Sequence, residues 1–200
     1  MNAHTSGTRT RRPAHETRQH VLEVTDSLFH TQGIHATGVD QVARAAGVAP
    51  TALYRLFGSK DGLVAAYVDH ADQRNRSWFE GAVASVDQGG PVAVRAVFDA
   101  LAETTGADDF RGCACQLAFA EYPDPRSDAH RLSASAKRWV VNRFRELLAD
   151  IDTPDTRKQQ AAERLALLVE GALASAGTLG PDGPASQARA LAELVLMDLT

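Results

Sequence analysis

Residues 37–63 read TGVDQVARAAGVAPTALYRLFGSKDGL, and the reading of this stretch decides the fold of the chain. Val39, Val42, Ala43 and Ala46 recur at helical spacing and give a first short helix one narrow apolar face. Gly47 follows directly, a residue tolerant of the positive φ at which helices commonly end. Pro50 then stands where a first helical position accepts a residue without an N–H. From Pro50 to Phe57 a second short helix is expected to carry Leu53, Leu56 and Phe57 inward, with Thr51, Tyr54 and Arg55 on other faces. Ser59 can cap the next helix, which opens Lys60-Asp61 with an acid in its first turn. Two short helices across a glycine-containing turn form a helix-turn-helix, a unit that places the start of its second helix in the major groove of DNA.

Upstream, VLEVTDSLFHTQGIHAT (21–37) reads as a helix and the loop after it. On Leu28, Phe29 and Gly33 there, and on Thr37, Val39, Val42, Ala43, Ala46, Gly47, Val48, Leu53, Tyr54, Phe57, Lys60 and Leu63, the chain resembles the DNA-binding domain of the TetR family of bacterial repressors. The resemblance covers about residues 18–65. It implies an all-α fold: an N-terminal three-helix helix-turn-helix DNA-binding domain, then a larger helical ligand-binding and dimerisation domain. One departure is Gly38, where a hydroxyl residue is common in the family; position 38 can offer a phosphate only its backbone N–H.

Charge divides in the same way. Residues 1–60 hold seven Lys/Arg and four acids, a balance of +3, whereas residues 61–200 hold fourteen bases and twenty-one acids, a balance of −7; together they give the net −4. Basic charge therefore lies where phosphates would be met, on a small domain carried by a larger acidic one. The two cysteines, Cys113 and Cys115, are too close in sequence to staple two halves of a fold, so no disulfide framework exists. No apolar run approaches the roughly 18 residues that span a bilayer, and the N-terminus lacks a signal-peptide core, so a cytoplasmic protein without membrane contact is expected.

In chain order, residues 1–12 are polar and aperiodic and are expected to be a disordered basic arm. Its Arg9, Arg11 and Arg12 either enter a neighbouring minor groove or form a solvated terminus. The DNA-binding domain is assigned to residues 13–60, its first helix running from about 14 to 32 with Val21, Leu22, Thr25, Leu28 and Phe29 inward. The ligand-binding and dimerisation domain is assigned to residues 61–200, entered by a connecting helix over 61–86. Breaks rich in Gly and Pro fall at 87–91, 106–112, 122–128, 150–155 and 180–184, and the helical-period segments between them predict an all-helical domain. The last two segments are apolar over more than one face. They are buried either within the monomer or, as the resemblance implies, in a four-helix homodimer interface carrying Leu165, Leu168, Val169, Leu173, Leu191, Leu194 and Val195.

Candidate DNA contacts follow from residue chemistry at helix ends. Thr37, Tyr54 and Lys60, with the backbone of Gly38, are assigned to phosphates, and Arg44 to the duplex backbone. Pro50, Thr51 and Ala52 start the second helix and lie nearest the bases; Arg55, one turn on, reaches a guanine or a phosphate. The stretch FRGCACQLAFAEYPDP (110–125) resembles a segment of one branch of the family. It is read as a helix starting at Arg111-Gly112, with Cys113, Leu117 and Ala120 on one face. Phe98, Cys113, Gln116, Phe119, Tyr122, Trp139 and Arg143 are candidate pocket residues for a small-molecule inducer, or else core. The resemblance implies a repressor released from a palindromic double-stranded operator when ligand moves the connecting helix. No cofactor, resident metal or catalytic group is expected, since no GxGxxG, P-loop, GxSxG or HExxH occurs. Two rivals stand beside this reading: a thiol- or metal-responsive regulator using Cys113 and Cys115, and a sequence-indifferent DNA-coating protein, for which bases are too few.

Overall fold

The computed structural model describes residues 13–108 and 110–199, and those residues form α-helices joined by short turns, with no strand among them. The basic arm expected at residues 1–12 lies outside the described residues. Three helices make the head: α1 (Ala14–Gln32), α2 (Val39–Ala45) and α3 (Pro50–Phe57). A long α4 (Lys60–Ala84) leads to α5 (Pro91–Thr105), α6 (Ala114–Glu121), α7 (Asp128–Leu147) and α8 (Asp155–Leu179). A 3-10 turn over Pro184–Gln187 then leads into α9 (Ala188–Met197).

Local chemistry explains the tight geometry of the head. Gly47 sits at φ 65 between α2 and α3, and the N–H of Val48 reaches back over it to the Ala43 carbonyl at 2.9 Å, closing α2. Pro50 opens α3 where its missing N–H costs nothing. The Ser59 hydroxyl caps α4 by accepting the N–H of Gly62 at 3.0 Å. A Cβ at position 62 would lie 2.0 Å from the Phe57 carbonyl oxygen, so only glycine lets α3 and α4 approach this closely.

Two apolar cores result. The head core gathers Val21, Leu22, Phe29, Val42, Leu53 and Leu63, with Phe29 meeting Tyr67 edge to face at 5.0 Å. It does not stop at the head: Cys115 and Ala118 of α6 and Ala129 and Ala136 of α7 belong to it. The second core is built on Phe79, Val97, Phe98, Leu101, Phe144, Leu148 and Leu165, with Phe144 packed between Phe79 at 5.2 Å and Phe98 at 6.0 Å. Each such fully buried side chain contributes about 1.5–3 kcal/mol. Helix α4 serves both, giving Leu63, Val64, Tyr67 and Val68 to one and Phe79 and Ala82 to the other.

Several expectations change. The connecting helix covers Lys60–Ala84, ending two residues earlier than 86. Leu56 is half-buried, not a core residue. Helix α6 starts at Ala114 because Gly112 is held at φ 94, outside helical space. Its inward face is therefore Ala114, Cys115 and Ala118; Leu117 is half-buried and Ala120 exposed. On α8, Leu165 and Val169 point into the chain's own core, while Leu168 and Leu173, with Val195 of α9, are half-buried against it. These five are not a free face. The exposed large apolar side chains of these two helices are Leu167 and Leu179 on α8 and Leu191, Leu194 and Met197 on α9, with Leu167 at 71%, Leu191 at 43% and Leu194 at 58% exposure. The Arg164–Asp198 ion pair at 3.0 Å links α8 to the residue that follows α9.

Candidate nucleic-acid interface and the cavity behind it

Helix α3 is anchored by Leu53, fully buried, and Phe57, over whose ring the Arg18 guanidinium lies at 5.2 Å. With that face inward, Pro50, Thr51, Tyr54 and Arg55 are turned to solvent, and Ala52 is half-exposed beside them. Arg44 is exposed on α2, and Gly38 is exposed as the N-cap of α2 with open space where a side chain would be. Lys60 begins α4 and donates from Nζ to the His35 carbonyl at 3.0 Å, so the ammonium stands at the loop joining α1 to α2. Thr37 is different. Its hydroxyl is buried and donates to the Gly33 carbonyl at 2.7 Å, closing the α1–α2 loop, so it is not available to a phosphate.

That same loop is tied to the body by Glu121, the last residue of α6. One carboxylate oxygen accepts the Ile34 N–H at 2.7 Å and the other accepts the His35 N–H at 2.6 Å. The His35 ring donates from Nε2 to the Glu121 carbonyl at 2.7 Å, and the Tyr122 ring stacks on His35 at 4.9 Å. Burial, with Asp61 and Glu121 nearby, pushes the Tyr122 phenol up to about 12. A functional role for Glu121 was not legible in sequence, because its partners are backbone amides that leave no residue-type signature.

Behind the head lies a cavity of about 810 Å³, within the range of small-molecule sites. Its walls come from both parts of the molecule: Asp26 and His30 of α1, Trp78 and Phe79 of α4, Trp139 of α7 and Glu170 of α8. Of the expected pocket residues, Cys113 and Trp139 line it. The other five do not. Phe98 is core, stacked on Phe144. Gln116 donates to the Glu170 carboxylate at 2.7 Å without reaching the cavity wall. Phe119 is half-exposed on the His130 ring at 4.4 Å, Tyr122 is at the head joint, and Arg143 is held by Glu80 at 2.7 and 2.9 Å.

The polar wall of the cavity is paired. His30 meets Asp26 at 3.4 Å, and its hydrogen bond to Asp26 raises the imidazole above its ordinary value despite burial. Burial opposes the charge on Asp26, but His30 and Arg74 outweigh it and hold that carboxyl below its usual value. Opposite them, Lys137 donates to the Glu170 carboxylate at 2.8 Å and to Cys113 Sγ at 3.2 Å. Burial works against the Lys137 charge, yet the Cys113 sulfur and Glu170 raise it overall.

Comparison with known proteins places this arrangement. A family model described as bacterial regulatory proteins, tetR family, matches residues 21–67. The chain is 44% identical over 55 residues to the HTH-type transcriptional regulator AcrR of Shigella flexneri, a match taking in 28% of this chain and only 26% of that relative. It is 25% identical over 156 residues to the HTH-type transcriptional regulator YjdC of Escherichia coli (strain K12), covering 78% of this chain and 81% of YjdC. The crystal structure of SCO4454, a TetR-family transcriptional regulator from Streptomyces coelicolor, superposes with a TM-score of 0.85 at 33% identity. That match covers 92% of this chain and 96% of SCO4454, so head and body are shared alike. The chain accordingly belongs to the TetR family of DNA-binding transcriptional regulators.

Proposed function

We propose that this protein is a repressor that holds a palindromic operator as a homodimer and leaves it when a small molecule fills the cavity between head and body. The observation that carries the reading is that α1, a helix of the head, supplies Asp26 and His30 to the cavity wall. An occupant there pushes on the head directly and on α4 at the same time. It acts as an inducer only if it binds the shape that misfits DNA better than the shape that fits. Trp78, Phe79 and Trp139 suit an apolar, ring-containing body, and the paired charges of the wall suit one or two polar substituents.

In this reading residues 13–60 read DNA and residues 61–200 sense and dimerise. Tyr54, Lys60 and the Gly38 N–H take phosphates, Pro50, Thr51 and Ala52 meet base edges, Arg55 takes a base or a phosphate, and Arg44 touches the backbone of the duplex. Leu167, Leu191 and Leu194 pack against their copies across a two-fold axis, setting the two heads about 34–36 Å apart. Such a regulator works in the cytoplasm, beside the chromosome. Among the described residues no group of three or more His, Cys, Asp or Glu is placed to hold a metal ion.

The test is selection of bound duplexes from a random pool, followed by affinity measurements on the enriched sequence. Tyr54→Ala and Lys60→Ala should each weaken binding to specific and random duplexes alike and lower the salt slope. Leu194→Glu should give single copies in a sizing experiment and lose the preference for palindromes. Enrichment of no palindrome, or unchanged affinity in both head variants, removes the proposal.

A further inference from the structure

Cys113 stands at a chemically unusual point of the cavity. It is the residue immediately before α6, buried at the N-terminal end of that helix. The Lys137 ammonium reaches it at 3.2 Å while held in place by Glu170 at 2.8 Å. Cys115 lies beside it, more deeply buried, with 1% exposure against 8%. A hydrogen bond from the Cys115 thiol, then the Lys137 ammonium and the amide of Gln116, lower Cys113 well below the ordinary thiol range against its burial. Cys113 in turn raises Cys115. Both residues line the cavity, as do Trp139 and Lys137.

Such a sulfur is a nucleophile, not filler. We propose that Cys113 is a covalent acceptor for soft conjugated electrophiles of the α,β-unsaturated carbonyl class that enter the cavity. This deepens the proposed function and rests on it for the step from adduct to operator release. In the reaction the thiolate electron pair forms a carbon–sulfur bond to the β-carbon of the electrophile. The carbon–carbon π pair moves onto the carbonyl oxygen as an enolate. Lys137 gives that enolate a proton, becomes a neutral amine, and regains its proton from water. Nothing is oxidised or reduced. The product is an uncharged thioether, so the ion pair between Cys113 and Lys137 is gone. The added group is fixed in a cavity whose far wall is α1.

The experiment uses the full chain and two probes of nearly one shape: chalcone, which carries the conjugated bond, and dihydrochalcone, which lacks it. Intact-mass and peptide-mass measurements should find one chalcone per chain, on Cys113, and none of dihydrochalcone. The addition rate should change little from about pH 8 to about pH 6, where an ordinary thiol of pKa about 8.5 slows roughly seventy-fold. Lys137→Met should bring back a fall in rate of about two-fold or more between about pH 8 and about pH 6, since a neighbouring opposite charge holds a group about 1–3 units down. Cys115→Ser, whose hydroxyl can still donate, should keep the adduct; Cys113→Ser should lose it. Anisotropy with a labelled duplex should show release by chalcone in the wild-type chain only. An unmodified wild-type chain, or equal labelling of Cys113→Ser, overturns the covalent site. Labelling with unchanged duplex affinity overturns its role as a signal. Release by both probes without labelling keeps the inducer reading and overturns this one, and because the mass measurement needs no DNA, failure of duplex binding leaves the chemical result standing.

Discussion

Replacing Glu121 with alanine removes both acceptors that hold the α1–α2 loop, the oxygens at 2.7 Å from the Ile34 N–H and 2.6 Å from the His35 N–H. Hydrogen bonds to a charged partner contribute about 1.5–3 kcal/mol each, and a truncation leaves their donors to be satisfied by water. His35 is exposed and Glu121 half-buried, so water recovers much of the loss, and a net cost of about 2 kcal/mol is expected. For a chain of this size each kcal/mol moves the melting temperature by about 2–4 °C, so Glu121→Ala should melt about 4–8 °C lower at fixed protein concentration. Glu121→Gln, which keeps one acceptor oxygen, should fall about half as far. The loss should also be local: amide exchange at Ile34 and His35 should speed up while the second core, at Phe98 and Leu165, keeps its protection. A head no longer tied to α6 should respond less to an occupant of the cavity than it does in the wild-type chain. A melting temperature within about 1 °C of wild type, with unchanged exchange at Ile34 and His35, would refute the reasoning that the carboxylate ties head to body.

Three further outcomes follow from other sites. Gly38→Ser should raise stability by about 0.5–1 kcal/mol, because φ −81 and ψ 152 suit any residue, the space is open and α2 lacks a side-chain cap; a lower melting temperature would contradict this. For the Asp26–His30 pair, the raised imidazole contributes stability that is complete below 6.5 and is lost as pH climbs through its higher folded value. The lowered carboxyl contributes stability that is complete above 3.8 and is lost as pH falls through its lower folded value. Relative to His30→Gln, the wild-type melting temperature should therefore fall on the alkaline side of 6.5; parallel profiles would rule the pair out as a source of pH dependence. Ser133, 1% exposed on α7 with no hydrogen-bond partner for its hydroxyl among the described residues, should tolerate alanine with a gain of about 1 kcal/mol, measured by denaturant titration; a clear loss would show an unrecognised role for the hydroxyl.

The head was readable because its decisive residues act locally. Gly47 closes α2 through its own φ, Pro50 begins α3 through its missing N–H, and Ser59 caps α4 three residues away. The helical period of 21–29 likewise located the inward face of α1, with Val21, Leu22, Thr25 and Phe29 buried. What stayed hidden depends on long-range pairing. Arg143 looked like a pocket residue until Glu80, 63 positions away, proved to hold it. Phe98 and Leu165 have the same composition signature whether they face a ligand, a second copy or their own core, and only the packing assigned them inward. On α8 a surface apolar over more than one face conceals which leucines are exposed: they are Leu167 and Leu179, neither of them among the leucines expected at an interface. Thr37 matched the family pattern, but a threonine can donate backward to a loop carbonyl as readily as outward to a phosphate, and here it does the former.

Helix α4 has one further consequence. Between Gly62 and Gly81 it holds neither glycine nor proline, so nothing in its sequence invites a kink, and its ends are gripped by different cores. It is a stiff lever of 25 residues, about 37 Å long. A tilt of about 5° at the Phe79 end, a side-chain-sized adjustment, sweeps the Lys60 end about 28 Å away through about 2.5 Å, and in the proposed dimer two symmetric copies double that to about 5 Å. Against a groove repeat of about 34–36 Å, a displacement of that size is what the proposed release from an operator requires of a molecule no larger than the cavity.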